Sequence, residues 1–274
     1  MSNKTSWIKN KAYDWQFYLP PARPSISELA IIEKYILDKI SRKPKKAIKM
    51  AILGCTVEYR SLAHKYGLNV TLIDASKAHY KILSKQHMAY KGKEKLVAQD
   101  WRQMKISEKF DFILADNVLN MLNNQQRALA LKNISGLLNK EGLFLPRTFV
   151  SLKNMPKNWK EILKIVRSKY PSVDFYVSTA AFVYPAYKNK LTEFTDVSRL
   201  LEDLRELKNK NSITKKEFDY WNGRMTFDKI GIAVPPLKNL NKQLNQSFKI
   251  KEVLEGNDVY SRYLKVHVLR ARLK

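Results

Sequence analysis

The residues of this chain that can do chemistry stand where apolar runs end. Lys49-Met50-Ala51-Ile52-Leu53 reaches Gly54, and Cys55 and Thr56 open the polar turn that follows. A second run, Val70-Thr71-Leu72-Ile73, ends on Asp74, about 20 residues beyond Gly54. A glycine after a first strand lets a ligand approach the backbone, and an acid after the second can hold both hydroxyls of a ribose. Together they make a nucleoside-binding βαβ pattern. One glycine is equally compatible with an ordinary buried strand, turn and helix, because the dinucleotide fingerprint carries three. Two later runs end in the same way. Asp100 and Trp101 follow Lys95–Ala98, and Asp116 follows Phe110–Ala115.

These positions require alternating elements. Ala47–Cys55 reads as a buried strand and Glu58–Tyr66 as a helix stopped by Gly67. Asn69–Asp74 is a strand, and Ser76 caps a helix reaching about Tyr90, near Gly92. Lys95–Ala98 and Phe110–Ala115 are strands, Asn124–Leu138 is an amphipathic helix, and Glu141-Gly142 turns into a strand over Leu143–Val150. Alternation of this kind predicts an α/β fold, a doubly wound, mostly parallel sheet with helices on both faces. The pattern then changes. Residues 151–246 hold helix-like segments at Asn158–Ser168, Asp196–Lys208 and Lys215–Arg224, with an aromatic stretch from Phe175 to Tyr187. Two strand-like runs, Phe248–Leu254 and Tyr263–Leu269, are joined closely enough to form an antiparallel hairpin. The chain divides into an arm and helix (1–46), an α/β core (47–150), an insertion (151–246) and a closing hairpin (247–274). The sheet has seven strands in all. Ser25 or Ser27 is placed to cap the helix after the arm, with Glu28 in its first turn.

The chain has 274 residues and a net charge of +26, carried mostly by lysine. Such a field attracts nucleic acid or other anions. The lysines are spread along the chain, and only Arg42-Lys43-Pro44-Lys45-Lys46 is compact. Nucleotide bias in the genome accounts equally well for the lysine excess, so nucleic acid is a possible but unfavoured partner. A single cysteine, Cys55, fits a reducing cytoplasm. Four histidines and that cysteine show no metal-ligand spacing, so no metal is expected. No apolar run approaches a membrane span, and the N-terminus has no signal-like apolar core. The oligomeric state is not set by these features.

The ordered set of motifs resembles the class I S-adenosylmethionine-dependent methyltransferases. Ile52-Leu53-Gly54-Cys55 is similar to the first, cofactor-binding motif. Leu72-Ile73-Asp74 is similar to the second, Val97-Ala98-Gln99-Asp100-Trp101-Arg102 to the third, and Phe110–Asp116 to the fourth. Leu137-Leu138-Asn139-Lys140-Glu141-Gly142 is similar to the turn before the fifth strand, and the closing hairpin to the reversed last strand. The resemblance covers about residues 47–150 and 248–270. It implies a Rossmann-like methyltransferase fold that binds S-adenosylmethionine. Gly54, Cys55, Thr56, Asp74, Ala75, Asp100, Trp101 and Asp116 would line the cofactor, with Asp74 on the ribose and Asp100 near the adenine amine.

The family's first motif usually has three alternating glycines. Here Thr56 and Glu58 stand in place of two of them, and Arg60 is near enough in sequence to offset Glu58. The run Gly54-Cys55-Thr56-Val57-Glu58-Tyr59-Arg60 resembles that of a poorly characterised subgroup, often preceded by an arm like Pro21-Ala22-Arg23-Pro24-Ser25.

Methyl transfer is an in-line displacement that depends mainly on binding and alignment. A proline-containing base-methylation motif is absent after Asp116, and Cys55 lies in the cofactor turn instead of at a cytosine. A small-molecule acceptor is therefore the expected substrate. An RNA or DNA methyltransferase, or a cofactor-binding protein without transfer, is the alternative. Asp116 and Tyr18 are the candidate catalytic groups. For Asp116, a helix cap or turn is the competing role; for Trp101 it is core packing. The arm and insertion supply Trp15, Tyr18, Tyr176, Phe182, Tyr184, Tyr187 and Trp221. These either form a lid, with Tyr18 and one of Tyr184 or Trp221 facing the methyl, or make the insertion's own core.

Overall fold

A computed structural model describes residues 19–86, 94–187, 195, 197–224 and 232–272. Tyr18 and the other aromatics of the arm lie outside the described residues, as do His87, Tyr90 and Gly92.

The sheet has seven strands: β1 (Lys49–Leu53), β2 (Asn69–Ile73), β3 (Glu94–Val97), β4 (Phe110–Asp116), β5 (Leu138–Phe149), β6 (Phe248–Leu254) and β7 (Leu264–Ala271). Their order is β3-β2-β1-β4-β5-β7-β6. The first five strands run parallel, and β7 is antiparallel to both β5 and β6. The α/β class, the mostly parallel sheet and the closing hairpin are thus as the residues predict.

Burial follows the alternation of side chains along each strand. Met50, Ile52, Val70, Leu72, Phe112 and Leu114 face α1 (Ile26–Arg42), α2 (Val57–Lys65) and α3 (Lys77–Gln86). Ala51, Leu53, Ile73, Ile113 and Ala115 face the other way, onto α4 (Asn124–Gly136) and α9 (Leu237–Leu244). Before α9 the chain forms α5 (Trp159–Lys169), α6 (Phe175–Ala186), α7 (Val197–Asn209) and α8 (Lys215–Arg224). Among the described residues, no helix is long and apolar enough to cross a membrane.

Three local features depart from the pattern read along the chain. Strand β5 starts at Leu138, because Leu138 pairs with Phe110 and Leu143 with Phe112, and residues 139–142 bulge between them. Gly142 makes the bulge possible: a Cβ there would sit 2.7 Å from the Phe110 carbonyl oxygen. The aromatic stretch Phe175–Ala186 is a helix, capped by the Asp174 carboxylate, which accepts the backbone N–H of Tyr176 at 2.9 Å. Being apolar on all sides, it lacks the amphipathic signal of a surface helix. Short α9 buries Leu240 and Leu244 against the sheet, and its period is too brief to stand out.

Helix α1 begins with a capping box. Ser25 accepts the Glu28 N–H, and the Glu28 carboxylate accepts the Ser25 N–H at 2.8 Å. Ser25 and Ser27 also donate to Asp258 at 2.6 and 2.7 Å, which ties the start of α1 to the β6–β7 connection.

Candidate active site

The carboxyl ends of β1, β2 and β4 lie side by side, and each carries one of the residues singled out above. Gly54 leaves β1 at φ +86°, and its N–H bonds the Ile73 carbonyl at 2.8 Å. This left-handed backbone favours glycine. A Cβ built there meets no atom within 4 Å, so the space above the turn is open. Positive φ is not needed at Cys55, Thr56 or Glu58. The missing glycines of the first motif therefore cost the backbone nothing; Thr56, at φ −53°, begins helix α2.

Asp74 ends β2 with its side chain nearly buried. Its Oδ1 accepts the Ser76 N–H at 2.7 Å, and its Oδ2 faces His79 Nδ1 at 2.9 Å and the Cys55 thiol at 3.7 Å. Burial, followed by the Asp74 charge, pushes the Cys55 thiol well above its usual range and keeps it neutral. Ala75, next to Asp74, is exposed. Among the described residues, Cys55, Asp74 and His79 are the group whose ligand atoms converge enough for a metal ion, all lying within 4.8 Å of one another. Their spacing in sequence conceals this, because a turn and two strand ends bring them together. His79 is the site residue that sequence reading overlooked here; it lies in the first turn of α3.

Asp100 is gripped by its neighbour. Arg102 donates to it through the backbone N–H at 2.8 Å, through Nε at 2.9 Å and through Nη2. The Arg102 guanidinium holds the Asp100 carboxyl below its ordinary range. An adenine amine would share that carboxylate with Arg102. Trp101 donates its ring N–H to the Ile73 carbonyl at 2.7 Å and packs on the sheet core. It thus buttresses the strand end that carries Asp74.

Arg60 does not offset Glu58. It forms a two-pronged pair with Glu94 on β3, at 2.8 and 2.7 Å, and donates to Ser84 on α3 at 2.9 Å. Fork geometry and burial favour that partner. Glu58 faces Arg23 of the arm instead, at 3.6 Å.

Asp116 ends β4 directly opposite Arg147 on β5, and Arg147 Nη1 donates to its Oδ1 at 2.6 Å. Arg147 Nε lies 2.9 Å from the Glu28 carboxylate, and both of those side chains are 0% exposed. The same guanidinium donates through Nη2 to the backbone carbonyls of Pro21 and Arg23, at 2.8 and 3.1 Å. One buried cation thus holds two carboxyls and the last turn of the arm. Burial pushes the Asp116 carboxyl up to about 7 against the opposing pull of Arg147, and the Glu58 and Glu28 charges add to the rise. Arg147 was legible only as a lone charge inside the apolar run Leu143–Val150, an unusual place for an unpaired cation.

Asn117 follows at φ +53° and starts a 3-10 turn over Val118–Met121. Asn120 is structural: its side chain bonds the Phe149 N–H and carbonyl, at 2.9 Å each, and the Ala233 carbonyl at 2.7 Å. Trp221 is 0% exposed, donates to Thr179 at 3.2 Å, and meets Trp159 and Tyr184 edge-on and Tyr176 at a tilt. It belongs to the insertion's own core with Tyr176, Phe182 and Tyr187. Tyr184 is half-buried and meets Phe149, at the end of β5, edge-on at 6.1 Å.

Residues 53–142 match a family described as methyltransferase domain. No curated protein matches the chain in sequence. Among solved structures, the chain is similar to a protein of Rhodobacter sphaeroides described as a putative zinc-dependent alcohol dehydrogenase. The TM-score is 0.58 at 16% identity, over 94% of each chain. It is also similar to the N-methyltransferase NodS of Bradyrhizobium japonicum, solved with S-adenosyl-L-homocysteine, with TM-score 0.50 at 12% identity, over 97% of this chain and 95% of that one. An S-adenosylmethionine-dependent methyltransferase of Clostridium acetobutylicum gives 0.51 at 11% identity, over 87% and 90%. Likeness at these identities speaks to the fold. The family match over residues 53–142 spans the strand ends that carry Gly54, Asp74, Asp100 and Asp116.

Proposed function

We propose that the chain is an S-adenosylmethionine-dependent methyltransferase of the cytoplasm, acting on a small-molecule acceptor. The observation that carries this reading is the pairing of Gly54 and Asp74 on adjacent strand ends. Gly54 offers open space above a left-handed turn, and Asp74 offers a nearly buried carboxylate beside it. Those residues suit the adenosine of the cofactor, whose sulfonium supplies the electrophilic methyl group.

The roles of the residues follow from their surroundings. A carboxylate has about four acceptor positions. The Ser76 N–H, His79 and Cys55 already draw on those of Asp74. To receive both ribose hydroxyls, Asp74 must be released by His79, which turns away as the ligand enters. Asp100 and Trp101 border the adenine, with Thr56, Cys55 and Ala75 along the rim of the turn. Asp116 is held near neutral pH by burial, so it can accept a proton from an acceptor hydroxyl or amine. Arg147 keeps it in place and holds the end of the arm at the Pro21 and Arg23 carbonyls. With the arm and the insertion closed above that edge, water is excluded and the acceptor aligned.

Calorimetric titration with S-adenosyl-L-homocysteine tests the reading. The wild type should bind at one site, and Asp74→Ala should bind at least tenfold more weakly, as for lost hydrogen bonds to a charged group. Equal affinity in the folded variant would sink the assignment of Asp74.

A further inference from the structure

A cavity of about 280 Å³ opens where β5 ends and β7 begins. Leu152, Lys153 and Asn154 line it from the chain leaving β5. Lys169 and Tyr170 come from the end of α5, Phe182 from α6, and Arg262 and Tyr263 from the turn before β7. Because β7 runs antiparallel to β5, and Phe149 pairs with Leu264, this is the same sheet edge that carries Gly54, Asp74 and Asp116. Strands are spaced about 4.8 Å apart, so β7 lies roughly 10 Å across the sheet from β4. Such a distance suits the far end of an acceptor whose other end meets Asp116.

The lining has a definite chemistry. Its floor is aromatic: Phe182 and Tyr263 are buried, with their rings edge-to-face at 5.0 Å. Three cations, Lys153, Lys169 and Arg262, stand around the mouth, and no carboxylate lines the cavity. None of the three is in an ion pair among the described residues. The Arg262 guanidinium lies over the Tyr263 ring, 5.3 Å from its centroid, which holds the charge above the floor. A flat apolar group can rest on the rings while an anionic substituent faces the cations. The volume matches one aromatic ring with its substituent and is near the lower limit of small-ligand pockets.

We propose that this cavity binds a single-ring aromatic anion, an aryl carboxylate or aryl phosphate. That the bound molecule is the methyl acceptor rests on the methyltransferase reading; the preference for an aryl anion does not. Remote binding of this kind would fix the orientation of the reacting end.

The test is titration of the full chain with benzoate, phenyl phosphate, benzyl alcohol and inorganic phosphate. Benzoate or phenyl phosphate should bind at least about tenfold more tightly than benzyl alcohol, which lacks the charge, and than phosphate, which lacks the ring. The relative strength of benzoate and phenyl phosphate identifies the headgroup. The double variant Lys169→Met, Arg262→Met should lose about tenfold in aryl-anion affinity. Both side chains are exposed, so the variant should fold, and an unchanged melting temperature checks this. Equal binding of benzyl alcohol, no aryl-anion binding at all, or unchanged affinity in the double variant would each overturn the proposal. So would tight binding of a single-stranded oligonucleotide that the same variant abolishes. Titration with S-adenosyl-L-homocysteine on the same samples separates the two readings, since the cofactor site and this cavity share no residue.

Discussion

Replacing Asp116 with asparagine probes the least expected group at the sheet edge. Its carboxyl is 5% exposed and shares Arg147 with Glu28. One guanidinium faces two carboxyls, so ionising both leaves a net negative charge in a buried site. That is why burial outweighs the attraction of Arg147 and lifts Asp116 from 3.8 to about 7. A raised folded-state value contributes stability that is fully present below the unfolded value and is lost as pH rises through the folded one. Each pKa unit is worth about 1.4 kcal/mol. Between about pH 5 and about pH 8 the wild type should therefore lose about 3 kcal/mol that Asp116→Asn keeps. Asparagine has nearly the same shape and can still accept from Arg147. Other carboxyls with shifted values, such as Glu94, Asp100 and Asp111, titrate in both proteins and cancel in the difference. Urea unfolding followed by tryptophan fluorescence, repeated across that range, measures the difference directly. The stability of Asp116→Asn relative to wild type should rise with pH. A flat difference would refute the reasoning, because it would mean that Arg147 keeps Asp116 ionised throughout.

Other outcomes follow from the same geometry. Arg147→Met should destabilise the fold by about 3–5 kcal/mol, since it strands buried Glu28 and Asp116, and urea unfolding would show it. Gly54→Val should leave the protein folded but abolish binding of S-adenosyl-L-homocysteine in calorimetry, because valine tolerates φ +86° poorly and projects into the open space. His79→Ala should not weaken, and should modestly tighten, that binding, because Asp74 no longer has to be freed from the imidazole; a large loss of affinity would count against the release step. Removing the charges of Arg42, Lys43, Lys45 and Lys46 together should lower any oligonucleotide affinity and flatten its salt dependence, without changing cofactor affinity. Lys43 also pairs with Asp111 at 2.9 Å, so some loss of stability accompanies that variant.

Much of the core could be read from short-range signals. Strands β1, β2 and β4 are nearly continuous apolar runs, as parallel strands buried on both faces should be. Gly67 at φ +67° stops α2, and Ser76 caps α3, as local rules predict. What stayed hidden was set by contacts between distant segments. Nothing near Glu28 indicates that it meets Arg147, and nothing near Glu58 indicates Arg23. Arg60 was a plausible neighbour of Glu58 along the helix, but the fork to Glu94 on another strand is the better partner. Trp221 was an aromatic outside the core pattern, equally fit for a lid or for packing, and from α8 it packs against α5 and α6. The helix α6 was missed because its residues are apolar on every side, which erases the period that marks a half-buried helix.

The central claim is that the cofactor lies over Gly54 with its ribose on Asp74. A crystal structure of the chain grown with S-adenosyl-L-homocysteine tests it most directly. The account predicts both ribose hydroxyls within about 2.6–3.2 Å of the Asp74 carboxylate, with His79 turned away from Oδ2. A ligand seated elsewhere, or a ribose that leaves the Asp74–His79 contact intact, would contradict it.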